Sequence, residues 1–195
     1  MDYAAAVIIG YLLGSIPVAL LVARRHGVDL YATADGNPGA WNALEQLGAK
    51  RAWPAFAGDA LKGTIAGAAG LAIGDIWVGY AAVAAAMVGH ALPLFARFRG
   101  GKSVMTFVGG MLPLAPAAWA LALGVCIGVS LGTRSFAWGA RVGVFGFPVA
   151  QLAVGDVREV AATGALMTLI GALFLLRRGD RSAPATSAGA PPPRG

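Results

Sequence analysis

The chain has 195 residues, of which 57% are apolar and only 12% are charged, and its mean hydropathy is +0.69. A soluble domain carries about twice that charged fraction, so this composition excludes a protein whose whole surface faces water. A lipid-facing surface accommodates it, because apolar side chains are not penalised there. The net charge of +6 comes from short loops between apolar runs, which is typical of a membrane topology signal and not of a nucleic-acid interface.

Seven apolar segments are candidate membrane spans, since a helix needs about 20 apolar residues to cross a bilayer, or fewer where the bilayer is thin. The second segment is interrupted by Asp59 and Lys62, and the fourth, fifth and sixth are short. The sequence predicts an all-α polytopic membrane protein with about seven transmembrane helices. The predicted spans are residues 3–23, 53–73, 77–95, 104–114, 117–131, 142–155 and 160–176.

The placement of charge predicts the orientation of these spans. With the N-terminus outside and the C-terminus in the cytosol, the cytosolic segments hold 13 of the 15 lysines and arginines, as the positive-inside rule requires. The outer segments then carry mainly acidic residues. Residues 1–181 are expected to form a single helical domain in the cell membrane. Residues 182–195, rich in Pro, Ala, Ser and Gly, have little apolar bulk to bury and are expected to be a disordered cytosolic tail.

The loop after the first predicted span carries the first candidate binding site. It reads ADGNPGAWN at residues 34–42, and Gly36 and Gly39 permit backbone conformations that are closed to other residues. A helix start near Gly39, together with the amides of Asn37 and Asn42, would surround a bound anion with N–H donors. A turn capped by Asn and Asp explains the same residues equally well, so spacing alone leaves both interpretations open.

A second candidate site lies between the third and fourth predicted spans, where residues 98–103 read FRGGKS. Gly100 and Gly101, flanked by Arg99 and Lys102, can wrap a phosphate while the cations neutralise its charge. The segment is not a Walker A loop, because the required upstream glycine is missing. The alternative is a cytosolic loop with a flexible turn, which explains the arginines better than it explains the Gly-Gly-Lys-Ser run.

Ionisable side chains within the predicted spans form a third cluster. Asp59 and Lys62 lie at i and i+3 on one helix face and can pair. Such groups cost at least about 2.5–3.5 kcal/mol each on insertion scales, so they mark either a functional site or a structural ion pair. His90 is equally consistent with a packed and a functional histidine. All three clusters lie near the cytosolic boundary and together predict an electropositive pocket for a phosphorylated substrate.

The sequence contains no recognisable catalytic dyad, triad or metal-ligand cluster, since it has only two histidines and one cysteine. His26 is followed by Asp29, which is not the His-x4-Asp spacing of many acyltransferases. We therefore expect neither a metal ion nor another cofactor.

These same residues resemble the bacterial acyl-phosphate:glycerol-3-phosphate acyltransferase family, PlsY. The resemblance covers roughly residues 8–106, and beyond them Arg134 is similar to an arginine in the last substrate loop of the family. Four segments match in the order of the family: YLLGSIP at 11–17, GNPGAWN at 36–42, DALKG at 59–63, and GHALPLF at 89–95 running into FRGGK at 98–102.

The resemblance implies transfer of a fatty acyl group from acyl phosphate to the sn-1 hydroxyl of glycerol 3-phosphate, which gives lysophosphatidic acid for phospholipid synthesis at the cell inner membrane. Because acyl phosphate is already activated, such an enzyme can act by positioning and charge neutralisation, with a substrate phosphate accepting the hydroxyl proton. The implied catalytic residues are Lys102, Asn37 and His90. The implied phosphate-binding residues are Gly36, Asn37, Gly39, Asn42, Lys62, Gly100, Gly101, Lys102 and Arg134.

The chain also departs from the family pattern. Asp35, Trp41, Glu45 and Ser103 stand where the family usually has Ser, Thr, Arg and Gly, and a late histidine-containing motif is absent. Because Glu45 would repel a bound phosphate unless a cation answers it, one alternative is a catalytically altered or inactive relative that acts as a membrane partner or regulator. Others are a role for Asp35 as general base and a small anionic-solute transporter. The sequence makes no prediction of acyl-chain preference or oligomeric state.

Overall fold

The chain folds into ten α-helices within the part that the computed structural model describes, residues 1–181, with side chains described through residue 176. No strand occurs in that part, which confirms the all-α prediction; the predicted disordered tail, 182–195, lies outside the described residues. A 3₁₀ turn, Leu94–Ala96, joins α5 to α6. The helices are α1 (Asp2–Gly14), α2 (Val18–Arg25), α3 (Ala40–Leu47), α4 (Ala49–Ile73), α5 (Ile76–Ala91), α6 (Val104–Leu114), α7 (Pro116–Thr133), α8 (Phe136–Phe145), α9 (Phe147–Val154) and α10 (Val157–Arg181).

Four helical segments of the described chain are long and apolar enough to cross a membrane: Asp2–Arg25, Ile76–Ala96, Pro116–Thr133 and Val157–Leu176. A fifth is added if α8 and α9, which meet at 47°, form one bent span. The chain is therefore a multi-pass membrane protein. A count of seven spans requires that the polar helix α4 and the 11-residue helix α6 also cross the membrane, and α6 is only about 16 Å long. The count of seven therefore stays a prediction.

The first predicted span is broken in its middle. α1 ends at Gly14 and α2 begins at Val18, because Pro17 lacks an N–H group and disfavours helical backbone at Ile16. This break was not predicted, although Pro17 signals it. Non-helical backbone at membrane depth is tolerated where it is buried in protein or lines a cavity, and this stretch lines the cavity described below.

The predicted start of the sixth span, at residue 142, is wrong. The segment begins at Phe136 and consists of two helices, because Pro148 in the first turn of α9 cannot continue the hydrogen-bond ladder of α8. Arg141, which the predicted spans 117–131 and 142–155 leave in the cytosolic loop between them, therefore lies within α8. Its guanidinium carbon is 5.3 Å from the centroid of the Trp138 ring.

Glycines allow the helices of the bundle to approach closely. A Cβ atom at Gly63 would overlap the backbone of α6 at Thr106, and one at Gly70 would lie 2.6 Å from the Cα of Gly79 in α5. Lipid supplies no hydrophobic drive between helices, so close backbone packing is a main source of their association. Gly63 and Gly70 therefore serve the packing of α4 against α6 and α5.

Charged residues are segregated to two ends of the bundle. α1 runs parallel to α5, since Gly10 faces Ala82 and Gly14 faces Ala86, so Asp2 and Asp75 share one end, the acidic end. The Tyr80 hydroxyl donates to the Glu159 carbonyl at 3.2 Å, which brings the start of α10 to the same end. The opposite end, formed by residues 24–51 and 92–103, carries seven lysines and arginines and is called the basic end below.

Candidate active site

A cavity opens at the basic end, where the broken first span meets α4, α5 and two loops. Four of the predicted site residues share it, although they are spread over 40 positions of the sequence. They are Lys62 of α4, His90 of α5, and Gly100 and Gly101 of the loop before α6; the break at Ile16 and Pro17 and the side chain of Asp59 complete this part of the wall.

The predicted ion pair between Asp59 and Lys62 is confirmed. Lys62 Nζ lies 2.9 Å from Asp59 Oδ1, and the two side chains are only 4% and 2% exposed. The same ammonium donates to the Ile16 carbonyl at 3.1 Å, in the break of the first span. Asp59 lies about 15 Å along α4 from its first residue, so the pair is well inside the helix and not at its end.

His90 lies against the same carboxylate. Its Nδ1 is 3.6 Å from Asp59 Oδ1, and the imidazole is buried in the last turn of α5. Gly101 faces the ring from the other side, since a Cβ atom there would lie 2.9 Å from His90 Cε1 and 3.1 Å from Cδ2. The lack of a side chain at Gly101 therefore leaves the space that the imidazole occupies. Asp59 contacts both His90 and Lys62 and so links these two side chains.

The N–H groups of the two glycines are engaged by the protein itself. Gly100 donates to the Ala91 carbonyl at 3.1 Å, and Gly101 donates to the His90 carbonyl at 3.0 Å. These bonds satisfy carbonyls at the C-terminal end of α5, which have no partner within the helix. In this arrangement the glycines contribute close approach and not free N–H donors; phosphate wrapping by Gly100 and Gly101 stays a prediction.

The loop at residues 34–42 forms a tight turn followed by a helix. Gly36 has a left-handed backbone at φ +64°, and α3 begins at Ala40 with Gly39 as its N-cap, as predicted. Asn42 faces into the loop, where its Nδ2 lies 3.0–3.2 Å from the carbonyls of Leu30, Thr33 and Asn37. Asn42 thus holds the loop together, and anion binding by this side chain stays a prediction.

Asn37 has the clearest mark of a binding residue. Its side chain is only 4% exposed, and its Oδ1 has no hydrogen-bond partner among residues 1–181. A buried acceptor left unpaired costs about 1–3 kcal/mol, and this oxygen can accept a hydrogen bond from a hydroxyl or N–H group of a bound molecule. A Cβ atom at Gly39 would lie 3.0 Å from Asn37 Nδ2 and 3.9 Å from Gly101 Cα, so the two glycine loops touch here.

Lys102 reaches across to the first loop. Its Nζ lies 2.9 Å from Asp35 Oδ2 and 5.4 Å from the centroid of the Phe174 ring on α10. The two loops are also joined by Tyr31, whose hydroxyl donates to the Arg99 carbonyl at 2.8 Å and whose ring lies 4.4 Å from the Arg99 guanidinium carbon. Neither Asp35 nor Tyr31 was assigned a contact with the second loop from the sequence.

Arg134 lies outside the cavity wall, on the exposed turn between α7 and α8. Two residues later, Phe136 stacks on Trp41 with ring centroids 6.2 Å apart, so this turn lies beside α3. The Trp41 indole donates to Glu45 Oε1 at 2.8 Å, so an uncharged N–H group is the partner of this carboxylate among the described side chains. Phosphate binding by Arg134 stays a prediction.

The described residues suit an anionic substrate. Lys62 and the buried His90 line the cavity, Asn37 lies beside it, and Lys102 directly follows its second glycine, at the end of the bundle where lysines and arginines collect. Within residues 1–181, no three His, Cys, Asp or Glu residues are grouped so that they could hold a metal ion. The chemistry that this set can supply is charge neutralisation and positioning.

Comparisons with known proteins show what the whole chain is similar to. The family model described as glycerol-3-phosphate acyltransferase matches residues 4–181. A glycerol-3-phosphate acyltransferase of Rhizobium etli is 39% identical over 170 residues, which cover 85% of this chain and 81% of that protein. Glycerol-3-phosphate acyltransferase 3 of Bacillus anthracis is 37% identical over 154 residues, which cover 76% of each chain.

Two crystal structures of PlsY, described as an integral membrane glycerol 3-phosphate acyltransferase, have the same fold. The glycerol 3-phosphate form superposes with a TM-score of 0.76 at 29% identity, covering 93% of this chain and 90% of that one. The lysophosphatidic acid form superposes with a TM-score of 0.76 at 27% identity, covering 93% and 92%.

Proposed function

The chain belongs to the glycerol-3-phosphate acyltransferase family, and we propose that it transfers a fatty acyl group from acyl phosphate to the sn-1 hydroxyl of glycerol 3-phosphate. The products are lysophosphatidic acid, a precursor of phospholipids, and inorganic phosphate. The observation that carries the proposal is the convergence of Lys62, His90 and the diglycine of residues 100–101 on one cavity, with Asn37 beside it.

The reaction needs no nucleophile from the protein. The glycerol 3-phosphate hydroxyl attacks the acyl carbon, the bond from that carbon to the phosphate oxygen breaks, and phosphate leaves with the bonding electron pair. The hydroxyl proton passes to a phosphate oxygen of the substrate. Because acyl phosphate is already activated, positioning and charge neutralisation are enough to accelerate the transfer.

The residue roles that we propose follow the contacts around the cavity. Lys102 and Lys62 neutralise phosphate charge, and Asn37 donates its amide N–H group to phosphate. The unpaired Oδ1 of Asn37 is an acceptor and suits a hydroxyl group of the substrate. His90 is a catalytic residue in this proposal, and Asp59 and Gly101 hold its ring in position. The remaining phosphate-binding candidates are Gly36, Gly39 and Asn42 in the first loop, Gly100 and Gly101 in the second, and Arg134 on the turn before α8.

The membrane arrangement that we propose has seven spans, with the N-terminus outside and the active face in the cytosol of the cell membrane. Residues 1–181 then form one membrane-embedded domain. The segregation of charge supports this orientation, because the basic end would face the cytosol. In a Cys126→Ser background, Arg97→Cys should be protected from a membrane-impermeant thiol reagent in intact cells, and Asp75→Cys should react.

An acyl-transfer assay in purified membranes, with palmitoyl phosphate and a panel of acceptors, tests the proposal. Lys102→Ala and Asn37→Ala should each abolish transfer to glycerol 3-phosphate. Arg158→Ala is the matched control, because it removes a cation from the acidic end. Normal turnover in both site variants would contradict the assignment of the site.

A second candidate function is that of a non-catalytic relative that partners or regulates lipid synthesis. The contact of Lys102 with Asp35 favours it, because a carboxylate already neutralises the cation that a phosphate would need. Expression in a strain that lacks its own acyltransferase separates the two functions: an enzyme restores growth, and a non-catalytic relative does not.

A further inference from the structure

We propose that Asp35 is an internal competitor for substrate phosphate: its carboxylate occupies part of the phosphate site when substrate is absent and lowers the affinity of that site for phosphate. This inference rests on the proposed function, because it concerns the same site. It makes Asp35 a residue that sets substrate affinity, and it gives it no part in proton transfer.

The two oxygens of the carboxylate contact two different loops. Oδ1 accepts the backbone N–H of Asn37 at 3.1 Å, in the loop at residues 34–42. Oδ2 accepts from the ammonium of Lys102 at 2.9 Å, in the loop at residues 98–103. These are the two loops whose residue types predict anion binding, and one small anion joins donors from both. A bound phosphate could bridge the same pair of donors with two of its oxygens.

Local turn chemistry explains only half of this arrangement. An Asp side chain commonly accepts the N–H two residues later, and the contact of Asp35 with Asn37 is such a turn. A second example lies just before this loop, where Asp29 Oδ1 accepts the Tyr31 N–H at 2.9 Å. The second oxygen of Asp35, however, meets Lys102, which is 67 positions away in sequence. That long-range contact distinguishes Asp35 from Asp29.

The exposure of the pair decides what it can do. Lys102 is 40% exposed and Asp35 is 47% exposed, in contrast to the enclosed pair of Asp59 and Lys62. Exposed ion pairs contribute little stability, so a ligand can exchange for the carboxylate without disrupting the fold. A phosphate group carries more charge than a carboxylate and can displace it from Lys102.

Displacement does not remove the negative charge. Asp35 remains next to the site and repels every phosphate bound there, substrate or product. The expected consequences are a raised KM for the phosphorylated substrates and easier release of inorganic phosphate. Both effects should weaken in high salt, because exposed charges are screened over about 10 Å at 0.1 M ionic strength.

Asp35→Asn tests this directly, because asparagine keeps the oxygen that accepts the Asn37 N–H and removes the charge. At low salt, the concentration of inorganic phosphate that half-inhibits acyl transfer should fall by about two- to fivefold, and the KM for glycerol 3-phosphate should fall similarly with kcat maintained. In 0.5 M salt the difference should shrink. Asp29→Asn is the matched control and should change neither quantity, since Asp29 makes the same type of turn without contacting Lys102.

Two kinetic results would overturn the inference. Unchanged phosphate inhibition in Asp35→Asn at low salt would show that the carboxylate does not compete. A collapse of kcat with phosphate inhibition unchanged would make Asp35 a general base instead. Calorimetric titration of the purified protein with inorganic phosphate separates this inference from the proposed function. If no acyl transfer occurs but Asp35→Asn binds phosphate more tightly, only the proposed function fails; if neither protein binds phosphate, the inference fails as well.

Discussion

Removal of one partner of the buried Asp59–Lys62 pair should destabilise the protein far more than removal of both. In Asp59→Leu, the Lys62 ammonium stays buried and keeps only the Ile16 carbonyl as a partner from the contacts described above. Breaking a buried pair in this way costs about 3–5 kcal/mol. For a chain of 195 residues, each kcal/mol shifts Tm by about 2–4 °C, so Tm should fall by roughly 6–20 °C.

The double variant Asp59→Leu/Lys62→Met should recover most of that loss. It replaces both charges with apolar side chains of similar volume, a change that is often neutral or stabilising. Its Tm should lie within a few degrees of the wild-type value, whereas acyl transfer should stay abolished, because Lys62 is proposed to bind phosphate and Asp59 contacts His90. Stability and activity would then be separated within one pair of side chains.

Thermal unfolding in detergent, followed by tryptophan fluorescence, measures stability, and palmitoyl phosphate turnover on the same preparations measures activity. Asp75→Ala is the control for loss of a structural carboxylate. Asp75 caps α5 by accepting the Trp77 and Val78 N–H groups, so its loss should cost only about 1 kcal/mol. If Asp59→Leu is as stable as wild type, the reasoning about the pair is refuted. If the double variant is active, Lys62 is not needed for phosphate binding.

Two further substitutions test how the site is positioned. Gly101→Ala should lower acyl transfer about 100-fold, because the added methyl group would displace the His90 ring and a shift of about 1 Å can have that effect. Gly124→Ala is the control. Gly124 lies in open space on α7, so this substitution should leave turnover unchanged. Phe136→Ala should raise the KM for the phosphorylated substrates about two- to tenfold, since the loss of its stacking on Trp41 frees the turn between α7 and α8. An unchanged KM in steady-state assays of Phe136→Ala would show that this turn takes no part in substrate binding.

Ser103 shows how a residue other than glycine is accommodated in a left-handed turn. Its backbone has φ +62°, a conformation that favours the glycine that the resemblance leads us to expect there. The hydroxyl donates to the Met87 carbonyl at 2.6 Å, a buried bond that glycine could not make. A hydrogen bond contributes about 0.5–1.5 kcal/mol, which is similar to the cost of about 1–2 kcal/mol for the left-handed backbone, so the two effects nearly cancel.

The sequence by itself determined the features that depend on local composition and spacing. The apolar fraction required a membrane protein, and the apolar segments identified helices; α6 begins and ends at the predicted residues. The i, i+3 spacing identified the pair of Asp59 and Lys62, because both partners lie on one helix. The glycines of residues 34–42 and 98–103 identified the two loops that meet at the candidate site.

Only the tertiary structure decided which of these pieces face one another. His90 and Asp59 are on different helices, and Lys102 meets Asp35 from 67 positions away. The break at Pro17 turns the Ile16 carbonyl toward Lys62. The periodicity of the two helices does not predict this contact. The physical reason is that such contacts depend on how closely and at what angle the helices cross. Glycine contacts between helices set that geometry, and the pattern of a single segment does not contain it.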